Sequence, residues 1–135
     1  MKVVFADTGY WVALFNPNDS LHEKAIATSK ALGKFRQLTT EMVLDELMAA
    51  LSQVPVRALV IRGVEAIRSN PNVEVIPQTS IQFREAFELY KRTADKEWSL
   101  TDCASFELMK ARGISEALAH DRHFEQANFI ALLRS

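Results

Sequence analysis

Four acidic side chains occupy positions from which they could converge on one site, although they are spread over most of the chain. Asp7 follows an unbroken apolar run, and Asp121 follows a short run rich in alanine. Glu46 borders the apolar stripe of an expected helix, and Asp102 falls in the first turn of another. Ligands of open α/β sheets bind at the carboxyl ends of buried strands, and the run before Asp7 is typical of such a strand. A shared acidic site at that edge is therefore the first function to consider.

Carboxylates gathered in one pocket need positive charge between them. Two unit charges about 4 Å apart repel by several kcal/mol at an intermediate effective dielectric, so neighbouring acids require protons or cations. Oxygen ligands select hard cations such as Mg²⁺ or Mn²⁺, and water and substrate phosphate usually complete the shell of Mg²⁺. One or two such ions can lower the pKa of a bound water and neutralise a leaving oxygen. Hydrolysis of a phosphodiester follows from that chemistry.

Three of the four acids also have an ordinary structural explanation. Glu46 could be a partly exposed side chain on a helix flank, and Asp121 could be a helix N-cap. Ser99 followed three residues later by Asp102 forms a capping box, which is a helix-start signal that needs no metal. Both roles are compatible for Asp102, because the helix dipole favours a negative charge in the first turn.

The sequence lacks the motifs of several other catalytic sites. It has four glycines and contains neither G-x-G-x-x-G nor G-K-[ST], so nucleotide-cofactor chemistry is not expected. Its three histidines do not form H-E-x-x-H, and no serine fits the nucleophile-elbow pattern. The single cysteine, Cys103, can form no internal disulfide. It is expected to be a small buried helix residue, with a role as nucleophile as the less favoured alternative.

Length and charge limit the range of functions. The chain of 135 residues, 48% of them hydrophobic, fits a single domain over 1–135. A formal net charge of −1 argues against a protein that binds nucleic acid mainly through a large positive field. The remaining surface becomes mildly basic if four acids are neutralised in a metal site, so a phosphate-bearing ligand is allowed. Neither a leader-like segment nor a bilayer-length apolar run is present, which predicts a cytoplasmic protein without membrane contact.

Strands and helices alternate along the sequence in an order that would bring distant acids together. The expected strands are 2–6, 37–39, 73–76, 115–119 and 129–133. The expected helices are 10–15, 20–33, 41–53, 55–67, 79–94, 99–113 and a brief one after Asp121, and capping signals include Ser20 with Glu23, Thr40, and Thr79 with Gln82. The order β-α-α-β-α-α-β-α-α-β-α-β predicts a three-layer α/β/α fold around a parallel sheet of about five strands.

Four segments together carry a family resemblance over nearly the whole chain. They are Val4-Phe5-Ala6-Asp7-Thr8, Thr39-Thr40-Glu41-Met42-Val43-Leu44-Asp45-Glu46-Leu47, Ser99-Leu100-Thr101-Asp102-Cys103-Ala104-Ser105-Phe106, and Asp121-Arg122-His123-Phe124-Glu125-Gln126-Ala127. Each segment alone is modest evidence, but four in order at family spacing are specific. The chain resembles the PIN-domain ribonucleases, and within them the VapC-like toxins of toxin–antitoxin pairs.

The resemblance implies a function and a site. It implies an Mg²⁺- or Mn²⁺-dependent endoribonuclease with Asp7, Glu46, Asp102 and Asp121 as the acidic site, of which Asp7 and Asp102 are the safest metal ligands. Thr8 would help to orient ligands or water, with Ser99 as a further supporting residue.

The sequence departs from the resembled family at two positions. Ala119 stands where such proteins often have threonine, which removes a hydroxyl from the neighbourhood of Asp121. Asn128 replaces a frequent glycine, and asparagine tolerates positive φ better than most residues.

Basic residues near the acids are candidates for contact with RNA. Arg122 and His123 adjoin Asp121, and Lys91, Arg92 and Lys96 precede Ser99. Each of them could equally be ordinary solvated surface charge.

Two other functions remain open. One is a catalytically weak or inactive PIN module that binds RNA or protein. The other is an aspartyl-phosphate enzyme or receiver built on Asp7, although Gly9 occupies the place where a dehalogenase-type phosphatase would have a second aspartate.

Apolar side chains on two expected helices suggest protein partners. Tyr10, Trp11, Leu14 and Phe15 give the first helix more apolar surface than one face can bury, and Phe83, Phe87 and Tyr90 form a row on a later helix. Core positions explain such residues as well, but exposed apolar patches usually mark interfaces. The resemblance implies a homodimer and a groove for a small VapB-like antitoxin.

Overall fold

A single parallel sheet forms the centre of the protein. The computed structural model describes residues 1–134, and within them five strands pair in the order β3-β2-β1-β4-β5. The strands are β1 (Lys2–Ala6), β2 (Phe35–Thr40), β3 (Val73–Ile76), β4 (Glu116–Leu118) and β5 (Ile130–Ala131). All four strand pairings are parallel, so the expected sheet is confirmed.

Seven α-helices connect and follow these strands within residues 1–134. They are α1 (Thr8–Phe15), α2 (His22–Leu32), α3 (Glu41–Ala50), α4 (Val54–Ser69), α5 (Ser80–Arg92), α6 (Leu100–Arg112) and α7 (Arg122–Gln126). The order of elements is the one that the sequence predicts. None of the helices in this part of the chain has the length and apolar character needed to cross a membrane.

The side on which new strands join the sheet changes at β1, and this change creates a crevice. From β1 the chain adds β2 and β3 on one side, and it then returns to add β4 and β5 on the other. Right-handed crossovers place α1–α4 on one face of the sheet and α5–α7 on the other. Helices therefore diverge above the carboxyl ends of β1 and β4, which is the topological switch point where α/β proteins bind ligands.

Most of the expected helix boundaries follow their capping signals. The Thr40 hydroxyl accepts the N–H of Val43 at 3.0 Å, and Thr79 caps α5 in the same way. Gly113 ends α6 in the left-handed conformation at φ 66°, and Asn128 has a φ of 70°. Asparagine therefore does adopt at position 128 the backbone conformation for which glycine is usually needed.

Some local expectations are wrong. Ser20 and Glu23 do not form a capping box, because α2 has Leu21 at its N-cap with no side-chain cap, and the Asp19 carboxylate accepts the Leu21 N–H instead at 2.9 Å. Helix α3 ends at Ala50 and not near residue 53. The last strand is only two residues long and is followed by a 3₁₀ turn, Leu132–Arg134.

The two apolar sets that suggested partners have different locations. Tyr10 and Trp11 are buried, and Leu14 and Phe15 are half-buried, so the alternative of core positions applies to Tyr10 and Trp11. In contrast, Phe83, Phe87 and Tyr90 of α5 are each 44–48% exposed. Their rings follow one another at centroid distances of 6.2 and 6.5 Å, so they form one continuous aromatic row.

Candidate metal centre

The four acids meet above the carboxyl ends of β1 and β4. Asp7 directly follows β1, and its N–H donates to the carbonyl of Leu118 at the end of β4 over 3.1 Å. Asp121 begins α7 three residues after that strand, Asp102 lies in the first turn of α6, and Glu46 lies in α3. The structure thus brings together side chains that are up to 114 residues apart in sequence, as the β-α pattern leads one to expect.

Asp7 is the most buried of the four carboxylates, with 7% of its surface exposed. Desolvation, together with the negative charges of Asp102, Glu46 and Asp121, raises the pKa of Asp7 to about 8, while a hydrogen bond from the Thr8 backbone opposes the shift. A carboxyl group in this environment is charged at neutral pH only if a cation compensates it. Burial and repulsion together therefore make Asp7 the residue that most requires a bound cation.

Glu46 is held by a hydroxyl from another helix. Thr8, the first residue of α1, donates from Oγ1 to Glu46 Oε1 at 2.9 Å, and both side chains are partly buried. Since Thr8 immediately follows Asp7, the contact fixes Glu46 of α3 beside the end of β1. The family resemblance implies that the Thr8 hydroxyl helps to orient ligands or water, and this hydrogen bond gives that hydroxyl a specific partner.

Asp102 is held by the start of its own helix. The Ser99 hydroxyl accepts the N–H of Asp102 at 3.0 Å, and Asp102 Oδ2 accepts the N–H of Ser99 at 3.0 Å, which completes the expected capping box. The side chain therefore keeps one rotamer, although it is 11% exposed and lies among other acids. The capping role and a role as metal ligand are compatible in this geometry, because the box engages only one carboxylate oxygen.

Asp121 caps α7 and shares a neighbour with Asp102. Its Oδ1 accepts the N–H of His123 at 3.0 Å and lies 3.2 Å from the ring nitrogen Nδ1 of that residue. The same Nδ1 lies 2.9 Å from Asp102 Oδ2. Ligand atoms of Asp102, Asp121 and His123 all lie within 4.8 Å of one another. Two carboxylates from two helices and the imidazole between them thus form one compact group, to which Asp7 and Glu46 do not belong.

The chemistry of these donors fits a divalent cation. Four carboxylates from four elements supply hard oxygen donors, and the buried Asp7 lacks a countercharge among the acids that surround it. Hard donors of this kind are typical of Mg²⁺ and Mn²⁺ sites. The site thus provides both the oxygen ligands and the electrostatic reason to bind an ion.

His123 has a location that sequence reasoning missed. The sequence predicts an RNA contact at this residue, whereas its ring lies between two acids with its side chain 17% exposed. A signal was available, because a residue two positions after an N-cap lies in the first helical turn beside the capping carboxylate. Its contact with RNA stays a prediction.

The expected basic RNA contacts lie on two sides of the acids. Arg122 is exposed at the start of α7 and makes no ion pair with the rest of residues 1–134. Lys91, Lys96, Trp98 and Ser99 line an open groove of about 510 Å³ that leads to the first turn of α6.

The lysines and arginine near α5 have acidic partners. Lys96 is exposed and pairs with its neighbour Asp95 at 2.7 Å, and Lys91 pairs with Glu88 at 2.8 Å. Arg92 lies 3.7 Å from an oxygen of Glu107. Such exposed pairs are weak, so a phosphate could replace the acid at little cost.

The thiol of Cys103 is unsuited to nucleophilic chemistry. Cys103 is fully buried in α6, and burial raises its pKa to about 11. The thiol is therefore protonated at neutral pH, in agreement with the expected role as a small buried helix residue.

Comparison with known proteins gives consistent matches along the chain. A family model described as "PIN domain" matches residues 4–130. The chain is 33% identical over 132 residues to the 23S rRNA-specific endonuclease VapC20 of Mycobacterium tuberculosis, in sequences from two strains, covering 95% of this chain and 96% of the relative.

Solved structures agree with these sequence matches. The crystal structure of M. tuberculosis VapC20, described as a sarcin-ricin loop cleaving toxin, matches with a TM-score of 0.85 and 30% identity over 94% of this chain and 96% of that one. VapBC2 from Rickettsia felis, solved with a DNA fragment from its promoter, matches with a TM-score of 0.65 over 96% of both chains. At 15% identity, this second likeness concerns the fold alone.

Proposed function

The chain belongs to the PIN domain family, and we propose that it is a divalent-metal-dependent endoribonuclease that acts as the toxin of a toxin–antitoxin pair. The observation that carries this proposal is the convergence of Asp7, Glu46, Asp102 and Asp121 above the β1–β4 switch point, where burial and the neighbouring charges raise the pKa of Asp7 to about 8. The similarity to VapC20 over almost the full length of both chains supports the choice of RNA as substrate.

The acids would hold one or two ions, Mg²⁺ or Mn²⁺, with Asp7 and Asp102 as the central ligands. A divalent cation in this position supplies the positive charge and Lewis acidity needed for attack of water on a phosphodiester. Asp7 contributes a rigid, buried charge, because it stands at the end of a central strand. Ser99 fixes Asp102, and Thr8 fixes Glu46, so the carboxylates need little reorganisation when the scissile phosphate arrives.

RNA would approach through the basic residues around the cleft. Arg122 supports this proposal most directly, since it is exposed beside Asp121 and has no acidic partner within residues 1–134. Lys96 extends the path along the groove next to Ser99, and His123 remains a further candidate. The low net charge means that such contacts position the substrate locally and do not provide strong binding at a distance.

Ribosomal RNA is the substrate class that the relatives suggest. VapC20 is named for cleavage of 23S rRNA and is described as acting on the sarcin-ricin loop. At 33% identity, we propose a structured ribosomal RNA loop as the first substrate to test.

A small antitoxin protein and a second copy of this chain are the proposed partners. The antitoxin follows from the similarity to a protein described as a toxin. The dimer is supported by the exposed aromatic row of Phe83, Phe87 and Tyr90, because exposed apolar patches of this kind usually mark an interface.

The proposal is tested with a synthetic sarcin-ricin hairpin and a scrambled hairpin of the same composition. Cleavage should require Mg²⁺ or Mn²⁺, stop with a chelator and fall at least 100-fold in Asp7→Asn and Asp102→Asn, because each substitution removes a ligand charge at nearly constant volume. Asp45→Asn is the matched control, since Asp45 is an exposed aspartate on α3 next to Glu46. Full cleavage by wild type in chelator would contradict the metal-dependent mechanism.

An inactive module is distinguished in the same assay. If wild-type protein binds the hairpin and cleaves none of several RNAs with either ion, the chain is a binding protein with a PIN fold. Cleavage of both hairpins at equal rates would retain the nuclease but remove the proposed selectivity for the ribosomal loop.

A further inference from the structure

The side chain of His123 lies between Asp102 and Asp121, the two acids on the α6–α7 side of the cleft. The ring of His123 has its Nδ1 2.9 Å from Asp102 Oδ2 and 3.2 Å from Asp121 Oδ1. Asp102 and Asp121 begin different helices, so no backbone hydrogen bond of either helix sets their spacing. The imidazole is therefore the direct connection between them.

The ionised state of Asp102 determines the direction of its hydrogen bond with His123. A carboxylate only accepts hydrogen bonds, so Nδ1 carries the proton and donates to Asp102. Asp102 Oδ2 thus receives two donors, the ring N–H of His123 and the backbone N–H of Ser99. Its other oxygen, Oδ1, accepts no hydrogen bond from residues 1–134 in the structure and remains available as a ligand.

The ring stands on a firmly anchored element. Phe124, the next residue, is fully buried and has its ring centroid 4.9 Å from that of Phe106 in α6. Trp98 Nε1, in the loop before α6, donates to Gln126 Oε1 at the end of α7 over 2.9 Å. These contacts attach α7 to α6 and to the loop before it, so the imidazole is held in place independently of any ion.

We propose that His123 is a positioning residue that, beside the Ser99 capping box, holds the Asp102 carboxylate and sets its distance from Asp121 for cation binding. The inference rests on the proposed function, because it assumes that these carboxylates are metal ligands. In this role His123 acts through Asp102. Donors of this kind behind a metal ligand are worth about 10–100-fold in metal affinity.

Two amide substitutions separate the two nitrogens of the ring. The side-chain NH₂ of asparagine lies near the place of Nδ1, whereas that of glutamine reaches toward the place of Nε2. His123→Asn should therefore keep the hydrogen bond to Asp102, and His123→Gln and His123→Ala should lose it. His120→Ala is the control, because His120 is an exposed histidine in the loop before α7 whose side chain makes no hydrogen bond or ion pair with the acids within residues 1–134.

The experiment is a calorimetric titration of each full-length protein with Mn²⁺, together with thermal unfolding in chelator as a test of folding. We expect the dissociation constant for Mn²⁺ to rise about 10–100-fold in His123→Ala and His123→Gln, and to change less than 3-fold in His123→Asn and His120→Ala. Unfolding temperatures in chelator should identify any variant whose loss of affinity comes from misfolding.

Two results would overturn the inference while leaving the proposed function intact. The first is wild-type Mn²⁺ affinity in a folded His123→Ala protein, and the second is an affinity restored by glutamine but not by asparagine. If wild-type protein binds no Mn²⁺ at all, the metal-dependent function itself fails, and the role of His123 fails with it.

Discussion

The hydroxyl of Thr8 donates a 2.9 Å hydrogen bond to Glu46 across 38 residues of sequence, and it connects the first turn of α1 to α3 beside the acidic cleft. Glu46 is half-buried, so without this donor its carboxylate would be free to rotate toward solvent or toward Asp7. The contact therefore controls where one of the four negative charges lies.

Removal of this hydroxyl should weaken the site without unfolding it. Thr8→Val keeps the shape of the side chain but loses the donor, and we expect the cleavage rate at limiting Mg²⁺ to fall about 10-fold or more. Thr8→Ser keeps the hydroxyl and should stay within a few-fold of wild type. Thr28→Val, at a half-buried helix position away from the acids, is the control for the loss of a threonine hydroxyl. Equal rates for the valine and serine variants at position 8 would exclude an orienting role.

The buried charge of Asp7 should destabilise the metal-free protein at high pH. Its pKa is about 8 in the folded protein and near 3.8 when unfolded, so the folded state binds the proton more strongly and loses stability as the pH rises from about 4 to 8. Asp7→Asn should therefore be more stable than wild type in chelator at pH 8, by about 1–3 kcal/mol, with little difference near pH 4.

Thermal unfolding at pH 4 and pH 8 measures this effect, and added Mg²⁺ supplies a second comparison. The ion should stabilise wild type and leave Asp7→Asn almost unchanged, because the variant lacks the charge that needs compensation. Asp45→Asn should follow wild type under all conditions. A variant at position 7 that is less stable than wild type at pH 8 would show that the Asp7 carboxylate is already compensated without metal.

Ala119→Thr restores the hydroxyl that is usual in the resembled family, and we expect it to keep or raise activity at limiting metal. The substitution should also reduce the stability of the fold, which the sequence did not reveal, because Ala119 is fully buried. Added volume there should lower the free energy of unfolding by about 1–3 kcal/mol. Ala119→Ser adds a hydroxyl with less volume, and Ala119→Val adds volume without the hydroxyl, so rates and unfolding of the three proteins separate both effects. If only Ala119→Val keeps activity, a hydroxyl at this position does not support the metal site, and the prediction is wrong.

The aromatic row of α5 should hold a homodimer together. Phe87 lies at the centre of the row and is 44% exposed, so Phe87→Ala should raise the dimer dissociation constant about 10-fold or more. Light scattering across micromolar concentrations measures the mass. Ile61→Ala is the matched control, because Ile61 is an apolar residue of α4 with 49% exposure. A wild-type mass of one chain at every concentration would refute the dimer.

Much of this protein is determined locally by its sequence. The apolar run before Asp7, the caps at Thr40, Thr79 and Ser99, and the glycine at 113 each act within a few residues, so they specify where elements begin and end. The alternation of strands with paired helices then fixes a parallel sheet, because parallel strands need crossover connections. The sequence also places Asp7 and Asp121 after strand ends, which is why the positions of these two acids could be predicted from the pattern of strands.

Other features depended on contacts between residues that are far apart in the chain. Trp11 is buried because α1 packs against several other helices and not against the sheet alone, which its own sequence does not indicate. The pairs Thr8 with Glu46 and His123 with Asp102 form only when separate helices are packed side by side. Local pattern therefore determined which residues carry charge and where the elements lie, whereas tertiary packing decided how buried each charge is and which group holds it in place.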